Sequence, residues 1–357
     1  MRVCILGAGL SSITLAKALV NQNIYVDVLF PKKSIELNQT RTLGISKSNI
    51  DYFNSSIIEI NKILWKLKKI EIFSDNLKNE KIIKFESKQD YIFSIIRNHE
   101  LYKIIKNSLK NDKYFKEIHS IRNNFSDYYN LVINTDSNNS ISKKFFNKKI
   151  IKKYNSVAYT TIINHKKIPN NTAYQIFTIN GPLAFLPISE IETSVVYSVH
   201  NSNHEQKKDI SDLIEKYNFK YQIQKTKKIE KFELKSLFLR SYYHQNILAF
   251  GDLLHKVHPL AGQGFNMTIR DTITLIDIIK NKISLGLPLD KSVNQEFEKK
   301  LKHKNLIFSN GIDFVHEFFN LERKIHSNFL SKSLQILGNN PSINKFFTKV
   351  ADEGITI

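Results

Sequence analysis

The chain begins Met1-Arg-Val-Cys-Ile-Leu-Gly7-Ala-Gly9-Leu-Ser-Ser12, and this stretch decides the fold. Residues 3–6 form a short apolar run, a Gly-Ala-Gly turn follows, and residues 11–21 carry apolar side chains at helical spacing. Residues 24–30, Ile-Tyr-Val-Asp-Val-Leu-Phe, then read as a second strand. Strand, glycine turn, helix and strand within about 30 residues predict a βαβ unit at the start of the chain.

The glycine turn has the pattern that binds a dinucleotide in such units. Gly7 permits the tight turn, and Gly9 lets the backbone approach a pyrophosphate. The helix that follows offers free N–H groups and the positive end of its dipole. Ser12 stands where a third glycine is usual, and Phe30 where an acidic residue would bind a ribose. The turn predicts a dinucleotide site; the alternative is the same βαβ unit without a ligand.

Composition narrows the class of protein. The chain has 357 residues, 41% of them hydrophobic, which is enough for one large domain or two intertwined ones. Cys4 is the only cysteine and lies in an apolar run, so we expect it to pack in the core of a protein from a reducing compartment. No targeting segment is visible, and no apolar run approaches the roughly 20 residues that span a bilayer. We therefore expect a cytoplasmic protein.

The charge is strongly positive, with 53 Lys and Arg against 33 Asp and Glu and a net charge of +20. An excess of this kind suits an anionic membrane surface. No basic motif interleaved with aromatic residues stands out, so we expect no nucleic-acid binding. Two interpretations stay open: lysine side chains spread over solvated faces without a partner, which is favoured, and peripheral contact with the anionic inner membrane.

The middle of the chain is rich in predicted strands and its end in predicted helices. The candidate strands are residues 82–85, 91–96, 131–135, 156–164, 173–179, 183–188 and 194–200, with two more within 232–250. The helical patterns cover residues 98–109, part of 201–230 and the chain from 266 onward, with a long amphipathic stretch at 289–318. These patterns predict a mixed sheet set into a nucleotide-binding domain.

A second motif spans residues 248–271. An apolar run ends at Gly251-Asp252, where a carboxylate can accept a hydrogen bond from a ribitol hydroxyl. Gly262-Gln-Gly264 then precedes a helix, whose N-terminus suits a flavin carbonyl or an anionic flavin ring. Together the two glycine motifs predict a flavin dinucleotide site.

With these motifs the chain resembles the class A flavoprotein aromatic hydroxylases, which have the para-hydroxybenzoate hydroxylase fold. More narrowly, it is similar to the ring hydroxylases of ubiquinone biosynthesis. The resemblance spans nearly the whole chain and includes Arg41-Thr-Leu-Gly-Ile-Ser, Ile95-Ile-Arg-Asn98 with Leu101, and residues 172–187. Asp136-Ser137, followed by Ser140 and Lys143, is similar to the family's motif of Asp-Gly, Ser and Arg.

The resemblance implies an α/β fold, with a Rossmann-like FAD-binding domain, an inserted mixed β-sheet substrate domain and C-terminal helices. The FAD-binding domain would comprise residues 1–70, 97–150 and 245–285. The substrate domain would comprise residues 71–96 and 151–244. Residues 286–357 would form the helical region.

The resemblance also implies an FAD-dependent monooxygenase that uses NAD(P)H and O2 to hydroxylate the ring of a lipophilic polyprenyl phenol in ubiquinone biosynthesis. Other ubiquinone-biosynthesis proteins are possible partners. No metal is expected, and a structural role is favoured for His255 and His258 over acid–base catalysis. The implied catalytic residues are Pro259, Gly262 and His258. The implied cofactor-binding residues are Gly7, Gly9, Ser12, Arg41, Asp136, Gly251, Asp252, Ala261, Gly262, Gly264 and Asn266.

Two other functions stay open at this point. The first is a non-catalytic or weakly flavin-binding paralogue that acts as a scaffold in a ubiquinone-biosynthesis complex. It is motivated by Phe30, Ser137 and Lys143 at cofactor positions, since serine lacks the backbone freedom of glycine and lysine lacks the fork geometry of arginine. The second is a flavin reductase or dehydrogenase on the same fold that inserts no oxygen.

Overall fold

The structure is a computed structural model that describes residues 1–32, 37–75, 81–87, 90–121, 128–200, 209–258, 262–325, 332, 335 and 341–354. The helices are α1 Leu10–Val20, α2 Lys47–Tyr52, α3 Asn98–Leu109, α4 Ser140–Phe145, α5 Ile210–Tyr217, α6 Gln263–Ser284, α7 Lys291–Ile325 and α8 Pro341–Glu353. Short helical turns lie at Phe53–Ile57, Asn61–Ile63 and Gly251–Leu253.

The strands up to the middle of the chain are β1 Arg2–Leu6, β2 Tyr25–Leu29, β3 Thr42–Ser46, β4 Trp65–Leu67, β5 Lys69–Ser74, β6 Lys81–Glu86, β7 Phe93–Arg97, β8 Phe115–Ile118 and β9 Leu131–Asn134. The later strands are β10 Lys149–His165, β11 Thr172–Thr178, β12 Gly181–Pro187, β13 Glu192–His200, β14 Ile223–Thr226, β15 Glu230–Leu239, β16 Tyr243–His244, β17 Ile247–Ala249 and β18 His255–Lys256.

A six-stranded sheet in the order β16-β17-β9-β1-β2-β8 carries the first glycine turn. The pairs that involve β1, β2, β8 and β9 are parallel, as is β17 with β9. Residues 3–6 of β1 are wholly buried, because helices cover both faces of a parallel sheet and its central strands are apolar throughout. Cys4 lies in this core, where burial raises the pKa of its thiol to about 12, in agreement with the packing role predicted for it.

A nine-stranded sheet follows the order β18-β15-β10-β13-β12-β11-β5-β6, with β14 paired to β10. One face packs against α5 through Leu213, Ile214 and Tyr217. The opposite face meets α7, where Ile312 and Phe318 pack against Phe177 and Ile82. The register across β11, β12 and β13 is unbroken, so side chains on one face form continuous rows.

A three-stranded antiparallel sheet, β3-β7-β4, lies beside the nine-stranded sheet and is bonded to it. The hydroxyl of Thr42 in β3 donates to the hydroxyl of Ser194 in β13 over 2.8 Å. The guanidinium of Arg97 in β7 pairs with the carboxylate of Glu192, also in β13. These contacts fix β3 next to the face of the nine-stranded sheet that carries Ser194.

The predicted α/β class is confirmed, and the helix predicted at residues 98–109 is α3. Sequence patterns missed β3, β4, β5, β8, β14 and β18, and three strands, β15, β16 and β17, stand where two were predicted within 232–250. Residues 201–208 lie outside the described part of the chain. β7 was assigned to the substrate domain but pairs with β3 and β4, not with the nine-stranded sheet. The domain bounds as a whole stay a prediction. None of the helices within the described ranges is long and apolar enough to cross a membrane.

Candidate functional site

The first glycine turn lies where the carboxyl ends of β1 and β9 meet the N-terminus of α1. Gly7 has a φ of +112°, and a Cβ added there would lie 2.4 Å from Oγ1 of Thr135. That hydroxyl donates to the carbonyl of Leu6 over 2.9 Å and lies 2.7 Å from the hydroxyl of the fully buried Ser12. Ser12, at the third-glycine position, is therefore accommodated through a hydrogen bond.

The N-terminus of α1 has no side-chain cap. Gly9 is the N-cap residue, in extended conformation with φ −74° and ψ 178°, and a Cβ added there would meet nothing within 4 Å. The first turn of α1 holds no acidic residue. The hydroxyl of Tyr102 in α3 donates to the carbonyl of Ala8 over 3.0 Å and fixes the turn. Open space above Gly9, together with free N–H groups, is what a bound phosphate requires.

The loop after β9 lies against the same turn. The backbone N of Asp136 is 3.3 Å from the position of a Cβ on Gly7. The carboxylate of Asp136 accepts a hydrogen bond from the backbone N–H of Asn138 over 2.8 Å. The backbone carbonyl of Asp136 accepts one from the hydroxyl of Ser142. Ser137 is not among the residues with positive φ, so this position does not require glycine.

The end of β2 supplies no ribose acceptor. Phe30 is buried, and the ammonium group of Lys106 lies 4.5 Å from the centre of its ring. Asp27, the acidic residue of β2, is buried in the sheet and accepts the hydroxyl of Tyr129 over 2.7 Å. Its carboxylate also lies 3.6 Å from Nε of Arg2. Asp27 is thus committed to the core of the sheet.

The Gly-Asp motif touches α1. Gly251 has a φ of +61°, and a Cβ added there would lie 2.8 Å from Cβ of Ser11. The next residue, Asp252, is exposed beside this contact. The close approach requires glycine, and it brings an accessible carboxylate to the N-terminus of α1.

The second glycine turn opens α6. Gly262 is the N-cap residue in left-handed conformation, with φ +64°, and the first turn holds no acidic residue. A Cβ added to Gly262 would lie 3.2 Å from the backbone N of Gly44 in β3. Gly264 is exposed, and a Cβ there would meet Val257 at 3.9 Å, an ordinary contact. The second turn, like the first, presents a helix N-terminus without a side-chain cap.

Asn266 ties this turn to β3 and α2. It is fully buried, and its Oδ1 accepts the backbone N–H of Ser46 over 3.0 Å and the amide of Asn49 over 2.9 Å. Its Nδ2 donates to the carbonyls of Gly44, over 2.9 Å, and Gly262, over 3.2 Å. Sequence reasoning named Asn266 as a cofactor ligand, but its side chain is fully used within the protein.

Arg41 is exposed immediately before β3. Its backbone N–H donates to Oδ1 of Asn38 over 2.8 Å, and its carbonyl accepts the N–H of Asn98 over 3.1 Å. The backbone is therefore fixed while the guanidinium faces solvent. Pro259 and Ala261, the other residues predicted beside the ring, lie outside the described residues.

The two histidines of the second motif are both buried. Nε2 of His255 is hydrogen-bonded to Asp271 in α6, whose other carboxylate oxygen accepts the amide of Asn305 in α7 over 3.0 Å. This pair joins β18, α6 and α7, which is a structural role. The ring of His258 lies edge-on to that of Tyr154, with ring centres 4.8 Å apart.

The predicted residues form two groups. Gly7, Gly9, Ser12, Asp136 and Gly251 meet at the N-terminus of α1, and Gly262 and Asn266 meet at the N-terminus of α6. Helices α1 and α6, which carry the two groups, pack against each other. Sequence reasoning missed Gly44, Tyr102 and the pair Arg97–Glu192. Of these residues, only Arg97 and Gly44 could have been found from the sequence, because both lie in stretches that resemble the family.

Comparison with known proteins adds sequence relatives. Residues 182–284 match the family model of the FAD binding domain. Over 263 residues the chain is 24% identical to the mitochondrial ubiquinone biosynthesis monooxygenase of Drosophila melanogaster, covering 62% of this chain and 55% of that protein. Over 160 residues it is 27% identical to the 3-demethoxyubiquinol 3-hydroxylase of Escherichia coli, covering 42% and 40%. The chain spans about half the length of the curated relatives it matches.

Solved structures with the same fold cover nearly the whole chain. The p-nitrophenol 4-monooxygenase of Pseudomonas putida superposes with a TM-score of 0.78 at 12% identity, covering 99% of this chain and 98% of that one. A variant of HpxO of Klebsiella pneumoniae in complex with FAD superposes with a TM-score of 0.74 at 11% identity, covering 99% of each chain. The chain therefore has the fold of the class A FAD-dependent monooxygenases and is a sequence relative of the ubiquinone biosynthesis monooxygenases.

Proposed function

We propose that the chain binds FAD and uses NAD(P)H and O2 to hydroxylate the aromatic ring of a polyprenylated phenol in ubiquinone biosynthesis. The observation that carries this proposal is the pair of glycine turns at the uncapped N-termini of α1 and α6, two helices that pack together. The relatives at 24% and 27% identity supply the reaction class and the kind of substrate.

The residues of the two turns fit FAD. The backbone at Gly9 has room for a pyrophosphate at the N-terminus of α1, while Gly7 makes the tight turn against Thr135 and Asp136. The exposed carboxylate of Asp252 is available to accept from ribityl hydroxyls. The N-terminus of α6, at Gly262 and Gly264, suits the electron-rich edge of the flavin ring. Bound FAD would supply the redox chemistry, with NAD(P)H as reductant and O2 as oxidant.

The other predicted residues have supporting roles in this proposal. Gly262 lines the flavin ring, and Arg41 lies near the flavin or the phosphates of the reductant. Pro259 and Ala261, which lie outside the described residues, are assigned to the ring by the family resemblance alone. Asn266 acts through Gly44 and Gly262, whose backbones it fixes. His258 is buried against Tyr154, which suits a packing role for the loop more than proton transfer.

A row of side chains on the nine-stranded sheet supports an apolar substrate. Ile72, Gln175, Ala184 and Val196 are register partners across four adjacent strands, and all are partly exposed. Val196 shares a face with Ser194, the residue bonded to β3, and Ile72 packs against the cluster that meets α7, so the row lies on the sheet face that both β3 and α7 contact. Three of the four side chains are apolar, as expected of a surface that receives a lipophilic ring or prenyl chain.

A lipophilic substrate would bring the protein to the inner membrane. Helix α7 exposes Ile307, Phe314 and Leu321 at every seventh residue, which is one face of a helix. With the net charge of +20, this face is suited to peripheral contact with an anionic surface. Other ubiquinone-biosynthesis proteins are the second kind of partner proposed.

The proposal is tested by titrating the purified protein with FAD and recording its visible spectrum. We expect near-stoichiometric uptake, and an affinity about tenfold lower for Asp252→Ala because a charge-assisted hydrogen bond is lost. Asp212→Ala removes an exposed aspartate from α5 and serves as the matched control, with unchanged affinity. A protein that takes up no FAD would contradict the proposal.

The same titration distinguishes the proposed hydroxylase from the second candidate function, a scaffold without flavin. A non-catalytic scaffold is favoured by one observation: Phe30 is buried where an acidic residue would bind the ribose, and Asp27 is committed to Tyr129. A protein without flavin supports the scaffold. If flavin binds, NAD(P)H oxidation stimulated by a prenylated phenol, with ¹⁸O from O2 in the product, identifies the hydroxylase. Flavin reduction without ¹⁸O incorporation identifies a reductase.

A further inference from the structure

The C-terminal helix α8 contacts two separate parts of the molecule, the strand β6 near its start and the helices α2 and α6 near its end. Near its start, the amide of Asn344 donates to the carbonyl of Lys84 over 2.9 Å. Gln335, which precedes the helix, donates in the same way to the carbonyl of Lys81 over 3.0 Å. Both acceptors belong to β6, which is the edge strand of the nine-stranded sheet among the residues that the structure describes.

The other end of α8 contacts α2. A carboxylate oxygen of Asp352 accepts the backbone N–H of Ser48 over 2.9 Å. The carbonyl of Asp352 accepts the hydroxyls of Ser46, over 2.9 Å, and Ser48, over 3.0 Å. Ser46 is the N-cap residue of α2 but makes no side-chain cap there, so the carboxylate from α8 supplies the cap.

The same end of α8 contacts the second glycine turn. The carbonyl of Ala351 accepts the amide of Gln263, the first residue of α6, over 3.3 Å. Gly354, with φ +79°, follows the helix and lies against Arg270, since a Cβ there would be 3.0 Å from Nε. Between the two ends, Val350 packs against the cluster that contains Val257 and Met267. The first residues of α6 are thus held by the C-terminal end of α8.

We propose that α8 is a strap that couples the edge of the nine-stranded sheet to the second glycine turn, with Asn344 and Asp352 as positioning residues at its two ends. The two residues are eight positions apart, which corresponds to about 12 Å along an α-helix. A rigid helix of that length transmits a displacement of β6 to α2 and α6. The consequence for FAD rests on the proposed function, whereas the coupling does not.

The strap is tested by amide hydrogen exchange on the full chain, which reports local opening. We expect Asn344→Ala to raise exchange at residues 46–49 and 263–266 about fivefold, although its bond to Lys84 lies at the other end of the helix. Asp352→Ala should raise it more, and Asp352→Asn should restore most of the protection because its side-chain oxygen still accepts from Ser48. Lys349→Ala, an exposed change on the same helix, is the control and should have no effect.

Two outcomes would overturn the strap. One is that Asn344→Ala raises exchange only in residues 81–86, which would make it a local contact of the edge strand. The other is that Asp352→Asn raises exchange as much as Asp352→Ala does, which would show that the bond from Ser48 to the side chain of Asp352 does not hold α2. FAD affinity is the second readout, expected to fall about tenfold in Asp352→Ala. If the wild type binds no FAD, the proposed function fails and the exchange data still decide the strap.

Discussion

The two glycine turns differ in what holds them. The first, Gly7 to Gly9, lies within one strand-turn-helix unit, and its main support is Thr135 at the end of the neighbouring strand. The second, Gly262 to Gly264, rests on β3, on α2 through Asn266, and on α8 through Gln263. The first turn is a local structure that the sheet completes, while the second is assembled from distant segments of the chain.

This difference bears on how each turn responds to change. A helix N-terminus without a side-chain cap leaves N–H groups unsatisfied, so its geometry depends on tertiary contacts. At α1 those contacts come from the core of a parallel sheet, the most buried part of the molecule. At α6 the tertiary contacts come from the buried side chains of Asn266 and Asn49 and from α8. We therefore expect distant substitutions to disturb the second turn and to leave the first unaffected.

The largest effect is expected for Asn266→Ala. The change leaves the N–H of Ser46 and the carbonyl of Gly44 buried without their partner, and unsatisfied buried groups are costly. We expect the free energy of unfolding to fall by about 3 kcal/mol in urea denaturation. Asn281→Ala, an exposed change on the same helix, should alter it by less than about 0.5 kcal/mol. A loss below about 1 kcal/mol for Asn266→Ala would show that the second turn does not depend on this amide.

A smaller effect is expected in the first turn, where Gly7 and Gly9, two positions apart, respond differently to substitution by alanine. Gly7→Ala places a Cβ 2.4 Å from Thr135 at a φ of +112°, so we expect a loss of about 2 kcal/mol. Gly9→Ala meets nothing within 4 Å and should change stability by less than about 0.5 kcal/mol. The added methyl group of Gly9→Ala should still weaken FAD binding, because it occupies the space proposed for the pyrophosphate. Equal losses of stability in the two variants would contradict this distinction.

The same contrast explains what could be predicted from sequence. The first turn, α1 and α3 were predicted because local periodicity and glycine spacing are written in consecutive residues. β3 was missed as a strand, since Thr-Leu-Gly-Ile-Ser is short and contains a glycine. Its Gly44 is required by contact with Gly262 and by the ring of Phe93, and neither contact has a local pattern.

Side-chain partners were predicted less well than backbone. Ser12 appeared as a departure from the glycine pattern, but its hydroxyl bonds to Thr135 and the fold accepts it. The resemblance implied that Asn266 is a cofactor-binding residue, and the structure shows both polar atoms of its side chain used by β3, α2 and the turn itself. A single sequence shows that a polar side chain is present but not which group satisfies it.

The smallest effect concerns the sheet on which the second turn rests. Glu192 in β13 pairs with Arg97 in β7, the strand next to β3, and accepts from Lys227 over 2.9 Å. Burial opposes the charge of Glu192, but Lys227 and Arg97 outweigh it and hold the pKa of the carboxyl below its ordinary value. Because the pKa is lower in the folded state, the stabilisation is present above the unfolded-state pKa of about 4.3 and is lost as pH falls through the folded-state pKa.

Glu192→Gln should therefore lower the free energy of unfolding by about 1 kcal/mol at pH 7, and the difference from the wild type should shrink as the pH falls below about 4. Glu190→Gln is the matched control, because Glu190 is exposed and pairs with Lys167 at the surface, where ion pairs contribute little. Urea denaturation across this pH range measures both variants.

Hydrogen exchange compares the two glycine turns directly: acid should raise exchange at residues 43–46 and 263–266 before it does so at residues 3–9. If the two turns lose protection together, the second turn does not depend on the ion pair between Arg97 and Glu192.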